Sequence, residues 1–486
     1  MQIPTIAQAA ALIAARRLSP VELVQQCLDR ITRLDGALHS FITVTPERAL
    51  SDARAAEQRM MSGSLRGKLD GIPIAHKDVI ATRGIRTTAH SRLLKDWVPD
   101  SDAEVVDLLD QAGTAMLGKL ATHEFAWGGP PLDLPWPPAR NPWDPARFSS
   151  GSSSGTAVAI AAGLVLGGTG TDTAGSIRAP SALCGITGIK PTYGLCSERG
   201  VLPLAPSLDH VGPMAWSVAD CALLLQAMVN ADTAAHPLPD YSVGLGKSIR
   251  GLRIGVASRW HEQEHEVTPA VQRGIQLALD IWRSQGAQVA PVELPSLHDY
   301  QAASVAIMAS EAFTQHAPDL RTRFDEYGRL LRSRLALGAL LPPDDLMLAR
   351  RLRKHLRRQT LQAMAQVDVL VTAGAASEAP RMEEVPEWGD LKRPGFYHPF
   401  NLTGWPAISV CSGYGEGGLP VAVQIATRPH QESLLFQVAE AFERSAALRD
   451  HRPTIVASLT YGATQRHNFT DVYAKDGSLP IPGRLT

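Results

Sequence analysis

The sequence predicts an α/β fold, and three observations carry that prediction. Residues 252–256 read as an apolar strand, 269–284 as a helix and 288–292 as a second strand, the β-α-β rhythm of a sheet with crossover helices. A short apolar run at 71–75 leads straight into His76, Lys77 and Asp78, as a buried strand does when it delivers polar groups at its end. Hydrophobic residues make up 44% of the 486, enough for a large core and too many for a disordered chain.

The remaining elements follow in order. Residues 4–60 read as helices: Ile6, Ala10, Leu12 and Ile13 recur at helical spacing, and Ser19-Pro20 opens a helix with Leu23, Val24, Cys27, Leu28 and Ile31 on one face. Residues 105–112 read as a helix, 115–117 as a buried strand and 127–147 as a Pro- and Trp-rich loop. The segment 148–193 is rich in Ser and Gly at its start, followed by a small-residue helix or buried element at 157–166 and a loop at 170–176; small residues at this density let backbones approach closely and present N–H groups inward. Then come helices at 218–229 and through most of 301–366, strands at 367–371, 407–410 and 420–425, and a closing helix at 432–445. With no internal repeat and no long linker, the expectation is one unit over 1–486, with N-terminal helices (1–60), a catalytic core (70–215) and a helical pocket region (301–366). The tail after His451 is polar and is expected at the surface.

Composition excludes some classes of function. Lys plus Arg total 47 against 48 Asp plus Glu, so net charge supplies no footprint for nucleic acid or an anionic membrane. Five scattered cysteines (Cys27, Cys184, Cys196, Cys221, Cys411) without a CxxC pair fit reduced thiols rather than a disulfide framework. No secretory signal precedes the first helix and the longest apolar run, 157–168, is too short to span a bilayer, so a cytoplasmic location is expected, and the sequon at Asn468 reads as chance.

Four local patterns compete for attention. His261 and His265 fit HExxH, but the segment lies between a strand and a helix start without an apolar face, and it reads as a solvated loop rather than a zinc site. Residues 113–119 imitate a phosphate loop, yet Leu120 stands where a hydroxyl should meet Mg²⁺. Arg350, Arg351, Arg353, Lys354, Arg357 and Arg358 resemble a nucleic-acid patch, but Leu348, Leu352 and Leu356 interleave as on a solvated amphipathic helix. Gly151-Ser-Ser-Ser-Gly155 fits a nucleophile elbow, but Pro- and Trp-rich residues precede it instead of the apolar strand an elbow requires.

The serine loops still need a base, and they contain no histidine. A buried lysine can serve when burial removes its charge. Lys77 ends an apolar strand; the alternative for it is an ion pair with Asp78 or Asp172. Taken together, the run Gly71 to Asp78, the loop Ser150-Gly-Ser152-Ser-Ser-Gly-Thr156 and the loop Gly170-Thr-Asp-Thr-Ala-Gly-Ser176-Ile-Arg178 resemble the amidase signature family. Ser152 follows Lys77 by 75 residues and Ser176 follows Ser152 by 24, similar to that family's lysine–serine–serine triad. The resemblance continues through 183–193, 207–213, 399–406 and 418–420.

The resemblance implies a large, mixed, twisted sheet flanked by helices, with Ser176 as nucleophile, Ser152 as bridge on a cis peptide bond, and Lys77 as base. It implies an oxyanion hole from the backbone N–H groups of Thr173, Ala174, Gly175 and Ser176, with no cofactor and no metal. Arg178 matches an arginine used for structure or, in some members, for a substrate carboxylate. Phe125, Trp127, Trp136, Tyr397 and Phe400 are candidate pocket residues, with core packing the alternative for each. The stretch 125–135 looks more like stand-alone amidases, which leads to the expectation of a monomer or homodimer hydrolysing small aryl or alkyl amides, with carbamates or urethanes as additional substrates, and without a nucleic-acid or membrane partner. The alternative within the family is the glutamine-hydrolysing subunit of a tRNA-dependent amidotransferase.

Overall fold

The computed structural model describes residues 3–230 and 238–457; the Asn468 sequon and the end of the tail lie outside them. Eleven strands among the described residues form one sheet: β1 (Phe41–Val44), β2 (Pro73–Lys77), β3 (Ala115–Leu120), β4 (Gly167–Thr171), β5 (Thr187–Lys190), β6 (Val211–Ala215), β7 (Arg253–Val256), β8 (Gln288–Pro291), β9 (Val369–Ala373), β10 (Ala407–Tyr414) and β11 (Pro420–Ala426). Their order is β1-β3-β2-β4-β6-β5-β10-β11-β9-β7-β8. The pairs β3–β2, β2–β4, β9–β7 and β7–β8 are parallel and the others antiparallel, so the sheet is mixed, as expected.

Helices cover both faces, and two apolar clusters fill the space between them and the sheet. One gathers Val24, Leu28 and Ile31 of the helix Pro20–Leu38 with Val158 and Ile160 of the helix Ser154–Ala161. The other holds Trp260, Trp282, Tyr300 and Phe436. Strands β2 to β6 are buried along their whole length, which is why they read as apolar or small-residue runs without alternation.

Several elements differ from expectation. The helical N-terminus is interrupted by β1: His39 adopts a left-handed conformation, and the Asp35 carboxylate accepts from the N–H groups of Ser40 and Phe41, turning the chain out of the helix and onto β3. The helix or buried element expected at 157–166 is a buried helix over Ser154–Ala161, and the residues after Gly163 run into β4. The HExxH segment forms one π-helical turn, Trp260–Glu264, and is not solvated throughout, since His261 is buried. The helix Pro343–Ala363 carries the basic cluster, but Arg353 is half-buried and bonded to Leu402 O and Ser207, so that face is not simply solvated.

Candidate active site

Strands β2 and β4 are parallel neighbours, with Ile74 opposite Gly167 and His76 opposite Thr169. That register carries Lys77, the last residue of β2, to within one residue of Thr171, the last of β4. Lys77 Nζ lies 2.6 Å from Ser152 Oγ and donates to Thr171 Oγ1 at 2.7 Å. Lys77 and Ser152 are buried. Burial lowers the Lys77 ammonium to about 7, against the opposing pull of the Asp172 and Asp209 charges. The ion-pair alternative does not hold: Asp78 faces Lys119 at 3.7 Å, and Asp172 faces Arg178 at 2.9 Å.

Two serine-rich loops are strapped together beside this lysine. Ser153 Oγ donates to Thr171 O and accepts from Thr171 N–H, both at 3.2 Å, while Ser153 N–H donates to Ser176 O at 3.1 Å. Close approach depends on Gly151, whose φ is +48°: a Cβ there would stand 2.3 Å from Pro180 Cδ and 3.2 Å from Ser176 O. The cis bond expected at Ser152 is not found. All described peptide bonds are trans, and the tight path is made instead by positive φ at Ser150 (64°) and Gly151.

Ser176 is half-exposed, between the buried Asp172 and the helix Arg178–Cys184. The Asp172 carboxylate organises its loop by accepting from the N–H groups of Gly175 (2.8 Å) and Ile177 (3.1 Å). Burial would raise this carboxyl, but the charge and hydrogen bonds of Arg178 outweigh it and hold Asp172 well below the usual carboxylate range. The four-donor oxyanion expectation therefore needs correcting: the Gly175 N–H is spent on Asp172. The N–H groups of Thr173, Ala174 and Ser176 have no partner among the described residues.

The expected pocket residues separate into different roles. Arg178 is fully buried, and its guanidinium is taken up by Asp172, Asn401, Gln424 and Tyr397 O, leaving no donor for a substrate carboxylate. The Tyr397 ring lies against Gly175, where a Cβ would come within 2.5 Å of it, and its hydroxyl donates to Gly374 O. Phe400 is buried beside Trp260. Phe125 is buried edge-on to His316 at 4.6 Å between centroids, and Trp127 is buried as well; Trp136 is half-buried against His90. A small cavity of about 70 Å³ opens beside Thr171 and Thr173 and includes Ala126, Glu198 and Asp209 in its lining. Burial, then the Asp209 charge, raises Glu198 to about 8.

Sequence reasoning missed Thr171, Ser153, Asn401 and Gln424. Thr171 and Ser153 stood inside motifs already singled out; Asn401 and Gln424 become neighbours of Arg178 only through the topology.

This geometry belongs to a hydrolase of C–N bonds, and the comparisons with known proteins agree. The family described as Amidase matches residues 22–436, and the chain belongs to that family. It is 36% identical to a glutamyl-tRNA(Gln) amidotransferase subunit from Chloroflexus aggregans, over 93% of this chain and 98% of that one. It is 37% identical to the protein of the same name from Methylococcus capsulatus, over 94% and 100%. Among solved structures it resembles the native peptide amidase of Stenotrophomonas maltophilia, with a TM-score of 0.80 and 29% identity over 92% of this chain and 98% of that one. These relatives correct two expectations. A free-standing hydrolase of small aryl amides, carbamates or urethanes, and a chain whose partners exclude nucleic acid, are both overturned by full-length likeness to amidotransferase subunits. Within the stretch 125–135 that suggested a stand-alone amidase, Phe125 packs on His316 and Tyr327, while Ala126 lines the small cavity beside Thr171 and Thr173. Among the described residues, no helix is long and apolar enough to cross a membrane.

Proposed function

We propose that this chain releases ammonia from the side-chain amide of glutamine, as the amide-cleaving subunit of an amidotransferase that acts on a tRNA-borne glutamyl group. The observation that carries the reading is likeness to subunits of that name at 36–37% identity over nearly the whole of both chains. The arrangement of Lys77, Ser152 and Thr171 supports its chemistry.

In the proposed mechanism Lys77 is the base, Ser152 the bridge and Ser176 the nucleophile. Neutral Lys77 takes the Ser152 hydroxyl proton as Ser152 takes that of Ser176, and the Ser176 oxygen bonds to the amide carbon. The carbonyl oxygen, now negative, is met by the N–H groups of Thr173, Ala174 and Ser176; each well-placed donor is worth about 3–4 kcal/mol. The C–N bond breaks as the proton returns through Ser152 to nitrogen, so ammonia leaves and an acyl-Ser176 ester remains. Water activated along the same path hydrolyses that ester to glutamate.

The test compares ammonia release from glutamine with amine release from an anilide and an aryl carbamate at equal concentration. Glutamine is expected to outrun both. Turnover of the anilide or carbamate with none of glutamine would overturn the proposal.

A further inference from the structure

The basic residues of the helix Pro343–Ala363 line a cleft. Arg350, Arg353, Lys354 and Arg357 recur three, four and seven residues apart, which places them on one helical face. They stand over an open cleft of about 630 Å³ whose opposite side includes Tyr193 and His430, and no carboxylate is among its lining residues. Two carboxylates behind the lining are engaged by it: Glu311 accepts from the Ser207 N–H at 3.0 Å, and Glu432 from the Thr192 N–H at 2.8 Å and the Thr192 hydroxyl at 2.5 Å.

The four cations divide into two roles. Arg353 fixes the helix, donating to Leu402 O at 2.8 Å and to Ser207 O at 2.8 Å. Arg350, Lys354 and Arg357 are exposed and have no ion-pair or hydrogen-bond partner among the described residues. A chain of net charge −1 thus concentrates unpaired positive charge in one concavity. Tyr193 adds an aromatic face: it is 45% exposed, yet its hydroxyl donates to Pro206 O at 2.8 Å and its backbone N–H to Gly404 O at 3.0 Å, so the ring is held in place.

Charge extended for about 10 Å along a helix suits a run of phosphates better than one point anion. A fixed aromatic ring beside such charge suits an unpaired base, which a duplex would keep stacked inside. An acidic peptide would use the cations but not the ring. We propose that this cleft binds a single-stranded polynucleotide, with Arg350, Lys354 and Arg357 on successive phosphates and Tyr193 stacked against a base. The inference uses the cleft alone and stands apart from the glutamine reading. The cleft shares the loop 203–210 and the helix His398–Thr403 with the candidate active site, since Asn401 of that helix bonds Asp172.

Labelled twelve-nucleotide oligo(U) and oligo(dT) report binding to the full chain by fluorescence anisotropy across a salt series. The expected slope of log affinity against log salt is about −2 for three phosphates on a single strand. The triple variant R350E/K354E/R357E should weaken binding at least tenfold and flatten the slope towards zero, with unchanged melting temperature and basal amide hydrolysis. Tyr193→Ala should cost a further five-fold or more, and Tyr193→Phe little. Binding of either strand type supports the proposal, and a preference for RNA adds a 2′-hydroxyl contact to it. Equal binding by the triple variant, no binding at about 0.1 M salt, or displacement by polyglutamate as readily as by unlabelled RNA would each overturn it.

Discussion

Lys77 and Asp78 are adjacent in the chain and do not pair: Lys77 Nζ is 2.6 Å from Ser152 Oγ, whereas Asp78 faces the Lys119 ammonium at 3.7 Å. Lys77 is the last residue of β2 and Asp78 the first of the turn that follows, and the two side chains take different partners. Asp78 is then occupied twice over, because its other oxygen accepts from Thr88 N–H at 2.9 Å and from Thr88 Oγ1 at 2.5 Å. With Asp78 engaged elsewhere, burial outweighs the charges of Asp172 and Asp209 and brings Lys77 to about 7.

Activity should therefore rise with pH through about 7, because the proposed base works only when neutral. The pH profile of kcat/KM for glutamine checks this in the free enzyme. A profile flat from pH 5 to 9 would separate Lys77 from catalysis.

The same shift makes a statement about stability. Lys77 falls from a lysine's ordinary 10.5 to about 7 on folding, so between those values the unfolded chain holds a proton that the native chain does not. Unfolding free energy gains a positive slope with pH across that window; below pH 7 the cost of burying the charge is fully present, and above 10.5 it is gone. Denaturant midpoints of the wild type and Lys77→Met, compared from pH 6 to 10, should show the variant more stable at pH 6 and its advantage shrinking as pH rises. A constant difference would mean that Lys77 does not titrate in this window.

Much of the proposed site was legible because its chemistry sits in short runs: the strand that ends at Lys77 and the loops around Ser152 and Ser176. The sheet was less legible where side chains are small. Strand β4, Gly167 to Thr171, carries three glycines and shows no strand propensity, yet it lies between β2 and β6 in the interior of the sheet. A Cβ on Gly168 would come 2.7 Å from Ala75 O, so close packing demands the residues that weaken the strand signal. Pro213 in β6 hid a second strand in the same way. The fate of the Gly175 N–H could not be read from sequence at all, because it depends on how Asp172 is oriented by Arg178 and Asn401, and Asn401 lies 229 residues away.

Replacing Ser176 with Ala should abolish ammonia release and leave the thermal midpoint within a few degrees of wild type, since a half-exposed hydroxyl leaves no cavity. Ser152→Ala and Lys77→Ala should each cost orders of magnitude, and the double variant little more than either, because both lie on one proton path. Multiplicative losses in the double variant would mean separate roles.

The last prediction concerns the buried guanidinium. Arg178 directs Nε and Nη2 to the two oxygens of Asp172, Nη1 to Gln424 and Tyr397 O, and Nη2 also to Asn401, all from one planar fork. A lysine has three donors at one point and cannot span these acceptors. Arg178→Ala removes the charge entirely and leaves the Asp172 carboxylate buried without its ion pair, a loss of about 3–5 kcal/mol. Arg178→Lys keeps the charge and loses the geometry, so its cost to stability should be smaller, about 2 kcal/mol, from buried acceptors left open. Its cost to activity should not be smaller in proportion. Asp172 positions the Gly175 N–H, and through it the loop carrying the free N–H groups of Thr173, Ala174 and Ser176. Chemical denaturation measured beside kcat and KM separates the two effects: kcat should fall at least tenfold in Arg178→Lys with KM little changed. A rise in KM alone would instead assign Arg178 to substrate binding.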